Sequence, residues 1–447
     1  MAKAVPLPIF PDFQVTRARR RSLAAFSRPS LGPSARPGKR RRHDLARLCG
    51  AFLLLLSAAA GCGIFRERPP EKDRLALEEV SFSDLAGWVG DRHAEALAAF
   101  RKSCDHLLRQ PDPRPLGETP AFGRAADWRP VCAEAVRLEA SGPVGSDGAR
   151  AFFEKWFSPF RATNNGDPKG LFTGYYEPVL RGSRTRGGAY TIPLHSRPPD
   201  LVTVDLGLFQ KDMRGRRIAG KVKDGQLRPY PDRAAINAGA LDGLGAEIVW
   251  VDDPVAAFFL HVQGSGQVVL EDGNVLRLGY AAQNGHPYHS IGRELIRRGI
   301  FPRESVSLQT IRAWLEEHSD EARRLMEKNR SYVFFREIGG EGPLGAQGVV
   351  LTPLRSLAVD RRFIPLGIPL WVDTTAPGTK PGGGFTLPLR RLFVAQDTGG
   401  AIQGPVRGDV FWGRGPEAEE KAGRMKQEGE YYLLLPRSLA RRHLPVL

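Results

Sequence analysis

Before Leu171 the apolar positions of this chain recur at helical spacing, and after it they recur mostly at the spacing of strands. Within residues 93–108, Leu97, Phe100, Cys104 and Leu107 fall three or four apart, which predicts an amphipathic helix. A second helix is predicted after Asp147, read as its cap, with Phe152, Trp156 and Phe157 on the buried side. From Leu171 the period changes to two, and Gly, Pro and Arg punctuate short strands through Tyr190-Thr191-Ile192-Pro193-Leu194. Residues 248–251 continue the strand signal, as do 258–263 and 267–270. The last two flank Gly264-Ser265-Gly266, which predicts a hairpin-type connection. Helical spacing returns over 290–328, with Ser307 as a cap. Strands resume at 331–335 and dominate to the C-terminus.

The start of the chain changes the picture from fold to address. Residues 39–42 read Lys-Arg-Arg-Arg, an apolar run follows from Ala51 to Leu56, and Ser57-Ala58-Ala59-Ala60-Gly61 leads into Cys62. This order marks a secretory leader over residues 1–61, and the apolar run is too short to stay as a membrane-spanning helix. Small residues running into a cysteine resemble the lipobox of bacterial lipoproteins, in which Cys62 becomes the lipidated first residue. The alternative is an ordinary signal cleaved at Ala-x-Ala, with Cys62 incidental. Residue 63 is Gly rather than Asp, so the usual inner-membrane retention signal is absent and the periplasmic face of the outer membrane is the expected location. The first forty residues, rich in Pro and Arg, make an unusually long leader, either an extended basic region or the product of a start codon placed too early. Residues 62–78, charged and containing Pro69 and Pro70, read as a lipid-anchored tether.

The formal charge of +16 is largely the leader's: twelve Lys and Arg against Asp12 and Asp44 give it +10, leaving +6 for the rest. That dilute excess favours an anionic polymer, and without aromatic-basic interleaving it excludes a nucleic-acid module. Cys49 leaves with the leader and Cys62 is taken by lipid, so Cys104 and Cys132 are the pair left in the exported body. An oxidising periplasm makes them a disulfide; the alternative is two buried thiols. His286 and His289 lie in a loop with no carboxylate beside them, so neither a metal nor a cofactor is expected. The exported part is longer than one core ordinarily serves, which predicts two domains.

The candidate chemistry lies near the C-terminus, in Ala395-Gln396-Asp397-Thr398-Gly399-Gly400 and in Arg407-Gly408-Asp409-Val410-Phe411-Trp412-Gly413. Asp397 stands between the apolar run Leu392-Phe393-Val394 and a Gly-Gly turn. A strand ending there holds the carboxylate half-desolvated, which raises its pKa towards that of a general acid. The alternative is a turn residue bonding its own backbone.

Four separated motifs occur in one order: residues 171–178 (Leu-Phe-Thr-Gly-Tyr-Tyr-Glu-Pro), 261–266 (His-Val-Gln-Gly-Ser-Gly), Ala358-Val359-Asp360, and the segment from Asp397 to Trp412. Together they resemble the membrane-bound lytic murein transglycosylase A family over roughly residues 80–440, with Asp360, Asp397 and Asp409 at the positions of its three-aspartate module. The resemblance implies a mainly β fold. A double-psi β-barrel would be built from both chain ends (79–184 and 331–447), with a second β-rich domain (185–330) inserted and a groove between them. It implies non-hydrolytic cleavage of the bond between N-acetylmuramic acid and N-acetylglucosamine in peptidoglycan, giving 1,6-anhydro products. Asp397 would be the single general acid and base, with Asp409 and Asp360 as supporting carboxylates.

Tyr175, Tyr176, Gln263, Gly264, Ser265, Gly266, Thr398 and Gly399 are the substrate-binding positions expected on this basis. Core packing competes for the two tyrosines, turn geometry for Gly264 and Gly266, and a turn role for Asp360. The expected partners are peptidoglycan strands, the outer membrane through the anchor, and other wall enzymes. Two other classes stay open: a wall-binding barrel that does not cut, and a dimeric aspartic protease, since Asp397-Thr398-Gly399 is that fold's triplet and occurs here once.

Overall fold

The structure is a computed structural model that describes residues 72–443 apart from 214, 341 and 379–384. Cys62, the leader and most of the expected tether lie outside the described residues. The strands, in chain order, are β1 (Leu75–Glu79), β2 (Phe157–Asn164), β3 (Gly170–Glu177), β4 (Val179–Ser183), β5 (Ile192–His195), β6 (Val202–Asp205), β7 (Arg217–Lys223) and β8 (Gln226–Pro229). They continue with β9 (Glu247–Val251), β10 (Gly266–Leu270), β11 (Val275–Gln283), β12 (Val333–Glu337), β13 (Ser356–Val359), β14 (Pro369–Pro377), β15 (Thr386–Asp397), β16 (Arg407–Arg414) and β17 (Lys426–Pro436).

Six of them close a ring. β17 pairs with β14, then come β15, β13, β16 and β3, and β3 returns to β17. Within the ring β13 runs parallel to β15, and β16 parallel to β3. Closure leaves no free edge inside the barrel. β2 and then β1 extend outward from β17. A second sheet, ordered β12-β11-β10-β4-β9-β5, is nearly closed by a bridge between Ser196 and Phe335, and β6-β7-β8 form a small third sheet. The barrel is therefore assembled from strands on both sides of an inserted region, which is less β-rich than expected because strands and helices share it about equally.

The run from Leu392 to Gln396 is buried throughout because β15 has protein on both faces: the barrel interior and the helix His93–Leu108. Gln396 Nε2 donates to Ala99 O (2.8 Å) and Ser103 Oγ (2.9 Å) on that helix. The fully buried Arg355 fixes the start of the same helix, donating to both oxygens of Asp91 (2.7 and 2.9 Å) and to Leu392 O (3.0 Å). A buried guanidinium so thoroughly partnered is tolerated, whereas removal of Asp91 would leave it only the half-exposed Glu95 as a carboxylate partner (3.1 Å). Trp371, Phe393, Leu433 and the aromatic residues Phe152 and Phe153 fill the same core.

Several expectations change at this level. Residues 258–263 are not a strand: they belong to the helix Pro254–Gln263, capped by Asp253, whose Oδ1 accepts from Val255 and Ala256 N (2.7 and 3.0 Å). Its apolar residues are buried on two sides, in separate clusters, so their spacing alone could not distinguish helix from strand. Gly264 is the left-handed C-cap of that helix (φ 83°), not part of a hairpin. Gly145, not Asp147, occupies the cap position of the helix Ser146–Trp156. Asp147 sits in the first turn, where its charge meets the helix dipole, and Phe157 already begins β2.

The helix Ala125–Ala140 is not among the elements that spacing predicts, since Pro130 within it obscures its period. Cys104 and Cys132 form the expected disulfide, joining this helix to His93–Leu108. β1 lies partly in the stretch read as tether. β4 and β12 lie in the second sheet, so the chain leaves the barrel at Pro178 and returns after Glu337. Pro178 has no N–H to carry a ladder onward, and one continuous extended run is thereby split between two sheets.

Candidate active site

Four strands of the barrel bring one row of residues together. Ala358 on β13 is in register with Asp397 on β15 on one side and with Asp409 on β16 on the other; Asp409 is in register with Thr173 on β3. The β13–β15 ladder shifts register between Leu357 and Ala358, skipping Gln396, and such a bulge re-aims the side chain beside it. The segment ending at Gln347 lies backbone to backbone on this bulge, with Gln347 N donating to Gln396 O (3.1 Å). A Cβ at Gly345 would stand 2.4 Å from that same oxygen, so only glycine allows the approach.

Asp397 is half-buried at the end of β15. Its Oδ1 accepts from Ala346 N and Thr398 N (2.9 Å each), and its Oδ2 accepts from the Tyr175 hydroxyl (3.0 Å). Burial pushes its carboxyl up to about 6. The three hydrogen bonds pull it down, and the Asp409 carboxylate adds to the rise. Both protonation states are therefore accessible near neutral pH, as a group that gives and then takes a proton requires.

The Tyr175 ring is buried against Phe411, centroids 5.2 Å apart, and burial with the two carboxylates holds its hydroxyl well above the ordinary phenol value. Tyr175 thus serves Asp397 as a neutral donor and not as an open face for a sugar. Tyr176 is buried among Ala418, Ala422 and Trp412, a core position, and its backbone N–H donates to Gln263 Oε1 (3.1 Å). That bond, together with Gln267 N donating to Pro178 O (2.8 Å), ties the half-buried 263–265 segment next to Tyr175. Gly266 opens β10 where a Cβ would stand 2.4 Å from Leu260 Cδ1 and 2.9 Å from Pro178 O. Besides its bond to Asp397, Thr398 donates its hydroxyl to Val359 O (2.8 Å); Gly399 is exposed.

The other two aspartates differ. Asp360 is gripped by Arg362, whose Nη2 and backbone N donate at 2.6 and 3.0 Å, and by Gly404 N (2.8 Å). Burial alone would raise it, but these donors hold it below the ordinary carboxyl value, and it anchors the loop that follows Asp397. Asp409 is raised by burial, against Arg407 and Thr173. Thr173 Oγ1 donates to Asp409 Oδ1 (2.5 Å) and accepts from Arg407 Nη2 (2.7 Å). Thr173 and Arg407 stood inside the motifs without a role assigned to them. Ala346 carried no sequence signal at all, because its contribution is a backbone N–H.

Fold and site together define a three-aspartate barrel protein with an inserted sheet. Residues 171–336 match the MltA specific insert domain and residues 355–435 match the 3D domain. The chain is 37% identical over 267 residues to membrane-bound lytic murein transglycosylase A of Escherichia coli K12, covering 59% of this chain and 65% of that protein. It is 34% identical over 277 residues to the Vibrio cholerae protein of the same name, covering 60% and 67%. The crystal structure of the membrane-bound lytic murein transglycosylase from Agrobacterium tumefaciens superposes with a TM-score of 0.72 at 39% identity, over 83% of this chain and all (100%) of that one. A structure of E. coli MltA with bound chitohexaose superposes with a TM-score of 0.58 at 28% identity, over 83% and 93%. The chain belongs to the membrane-bound lytic murein transglycosylase A family. The aligned region spans just under two thirds of the E. coli relative's length.

Proposed function

We propose that this protein is a lytic murein transglycosylase, a carbon–oxygen lyase that cleaves the β-1,4 bond between N-acetylmuramic acid and N-acetylglucosamine without water. The observation that carries the reading is Asp397: one half-buried carboxyl, pushed up to about 6 and oriented by three donors at the end of a barrel strand. The chitohexaose complex of the E. coli relative supports an extended β-1,4 glycan as ligand.

In the first half of the reaction the Asp397 carboxyl gives its proton to the leaving O4 of N-acetylglucosamine as the C1–O4 bond breaks. In the second, the Asp397 carboxylate takes the proton of the muramic C6 hydroxyl while O6 bonds to C1, closing the 1,6-anhydro ring. The proton lost is regained, and no water enters. A hydrolase needs a second carboxylate as nucleophile or to activate water. Here the nucleophile is part of the substrate and gains effective concentration instead. The grip of Arg362 and Gly404 on Asp360 supports a structural part for that residue.

Replacing Asp397 with Asn keeps the shape and removes the transferable proton. The rate of soluble-fragment release from purified murein falls by about 10²–10⁴-fold while glycan binding survives. An Asp397→Asn protein keeping more than about a tenth of the normal rate would move the acid role elsewhere, first to Asp409.

The lipobox ending at Cys62 and the "membrane-bound" name of the relatives support anchoring on the periplasmic face of the outer membrane. Acyl chains on Cys62 supply the anchor, and Cys62→Ser releases the protein into the soluble periplasm. Wild-type protein found wholly in the soluble fraction would overturn the anchor and leave the enzyme reading intact.

A further inference from the structure

The acid at Asp397 works only if Asp397 carries a proton while its neighbour Asp409 does not compete for it. The two aspartates flank Ala358 across adjacent strands, and a negative charge on Asp409 disfavours ionisation of Asp397. Their surroundings differ in kind. Asp397 is met by a neutral phenol hydroxyl and two backbone N–H groups. Asp409 is linked through one hydroxyl to a buried cation: Arg407 Nη2 donates to Thr173 Oγ1 (2.7 Å), and Thr173 Oγ1 donates to Asp409 Oδ1 (2.5 Å). Arg407 is itself nine-tenths buried, and its Nη1 donates to the carbonyl oxygens of Leu171 (3.2 Å) and Gly408. Those carbonyls fix the guanidinium without neutralising it, so Asp409 is the charge that answers it.

A threonine hydroxyl has one proton. Because Arg407 can only donate to it, the hydroxyl proton points to Asp409, which must then accept and is best served as an anion. This polarity is set by the chemistry of the three groups. Tyr175 from β3 faces both carboxylates as a neutral hydroxyl, and Asp360, in the turn after β13, is taken up by Arg362.

We propose that Thr173 and Arg407 are positioning residues of the reaction: through the Arg407–Thr173–Asp409 chain they keep Asp409 ionised, and the fixed negative charge of Asp409 keeps the working proton on Asp397. The inference rests on the transglycosylase reading and adds to it the device that decides which aspartate is the acid. Burial by itself raises Asp409, and Arg407 and Thr173 are the groups that oppose that rise, while Asp409 in turn raises Asp397.

The test is the pH dependence of kcat on soluble murein glycan strands, with KM measured alongside. Thr173→Val removes the hydroxyl at nearly constant shape and cuts the chain. Asp409 then protonates more readily, its push on Asp397 weakens, and Asp397 ionises at lower pH. The limb on which activity is lost with rising pH moves to lower pH, kcat at neutral pH falls about 10- to 100-fold, and KM changes little. Thr173→Ser restores both limb and rate. Asp409→Asn, which removes the charge outright, moves the same limb in the same direction.

A Thr173→Val enzyme with the wild-type limb, or one whose loss Thr173→Ser does not rescue, overturns the proposal. So does an Asp409→Asn limb that stays in place, and that arm decides the matter even if the valine variant does not fold. If instead wild-type protein releases nothing from murein, the transglycosylase reading itself has failed.

Discussion

Asp397 is held between opposing forces, and that balance has a consequence for stability as well as for catalysis. Burial favours the neutral carboxyl, so its folded pKa of about 6 lies above the unfolded value. A raised carboxyl contributes stability that is full below the unfolded pKa and is lost as pH rises through the folded one. Asn at this position cannot ionise and escapes that loss. The Asp397→Asn protein should therefore melt above wild type at about pH 8, with the gap shrinking by about pH 4. Equal gaps at the two pH values would contradict the raised pKa.

At this scale the sequence was legible where the signal was local. The apolar run before Asp397 and the Gly-Gly after it are neighbours in the chain, and they mark a half-desolvated carboxyl, which is what stands there. The service of Tyr175 to Asp397 spans from β3 to β15 and could not be read. For Tyr175 and Tyr176, flat rings suggested sugar contact, and both rings are buried. Asp360 differs from Asp397 for a reason two residues away, Arg362, that spacing alone does not decode.

Among elements, those with a single buried face were predicted well. The helix His93–Leu108 has the bounds that its spacing gave, and Ser307 caps its helix by accepting from Thr310 N (3.1 Å). The helix Pro254–Gln263 does not show in the spacing because Phe258 and Phe259 pack into one cluster and Ala257 and Leu260 into another. The Asp253-Pro254 start was the signal that outweighs periodicity there. The disulfide between Cys104 and Cys132 ties two helices that cover the barrel, closing a loop with a separation of 28 residues. Chain entropy predicts that it contributes about 3–4 kcal/mol. Thermal unfolding of the Cys104→Ser, Cys132→Ser double variant should occur at clearly lower temperature than that of the oxidised wild type; an unchanged midpoint would show that helix packing alone suffices.

For the molecule as a whole, a mainly β fold was legible from the period-two stretches, and the four ordered motifs implied the interleaved barrel. The exchange between sheets was not legible to the residue. β3 and β4 are consecutive extended runs, and only Pro178 between them marks where one sheet ends. Nor could the sequence show that Arg355 and Asp91, far apart in the chain, meet in the core to seat a helix on the barrel. What this architecture achieves is convergence: β3, from before the insert, and β13, β15 and β16, from after it, place Thr173, Ala358, Asp397 and Asp409 in one row.

On the proposed transglycosylase reading, one carboxyl in that row suffices because the substrate supplies its own nucleophile. Mass spectrometry of the soluble products from purified murein tests it most directly, since an anhydro end is lighter by one water than a hydrolytic one. Essentially every new muramic end should be 1,6-anhydro, even in excess water. Products carrying mainly reducing muramic ends would contradict it and assign a second carboxylate, Asp409 first, to the activation of water.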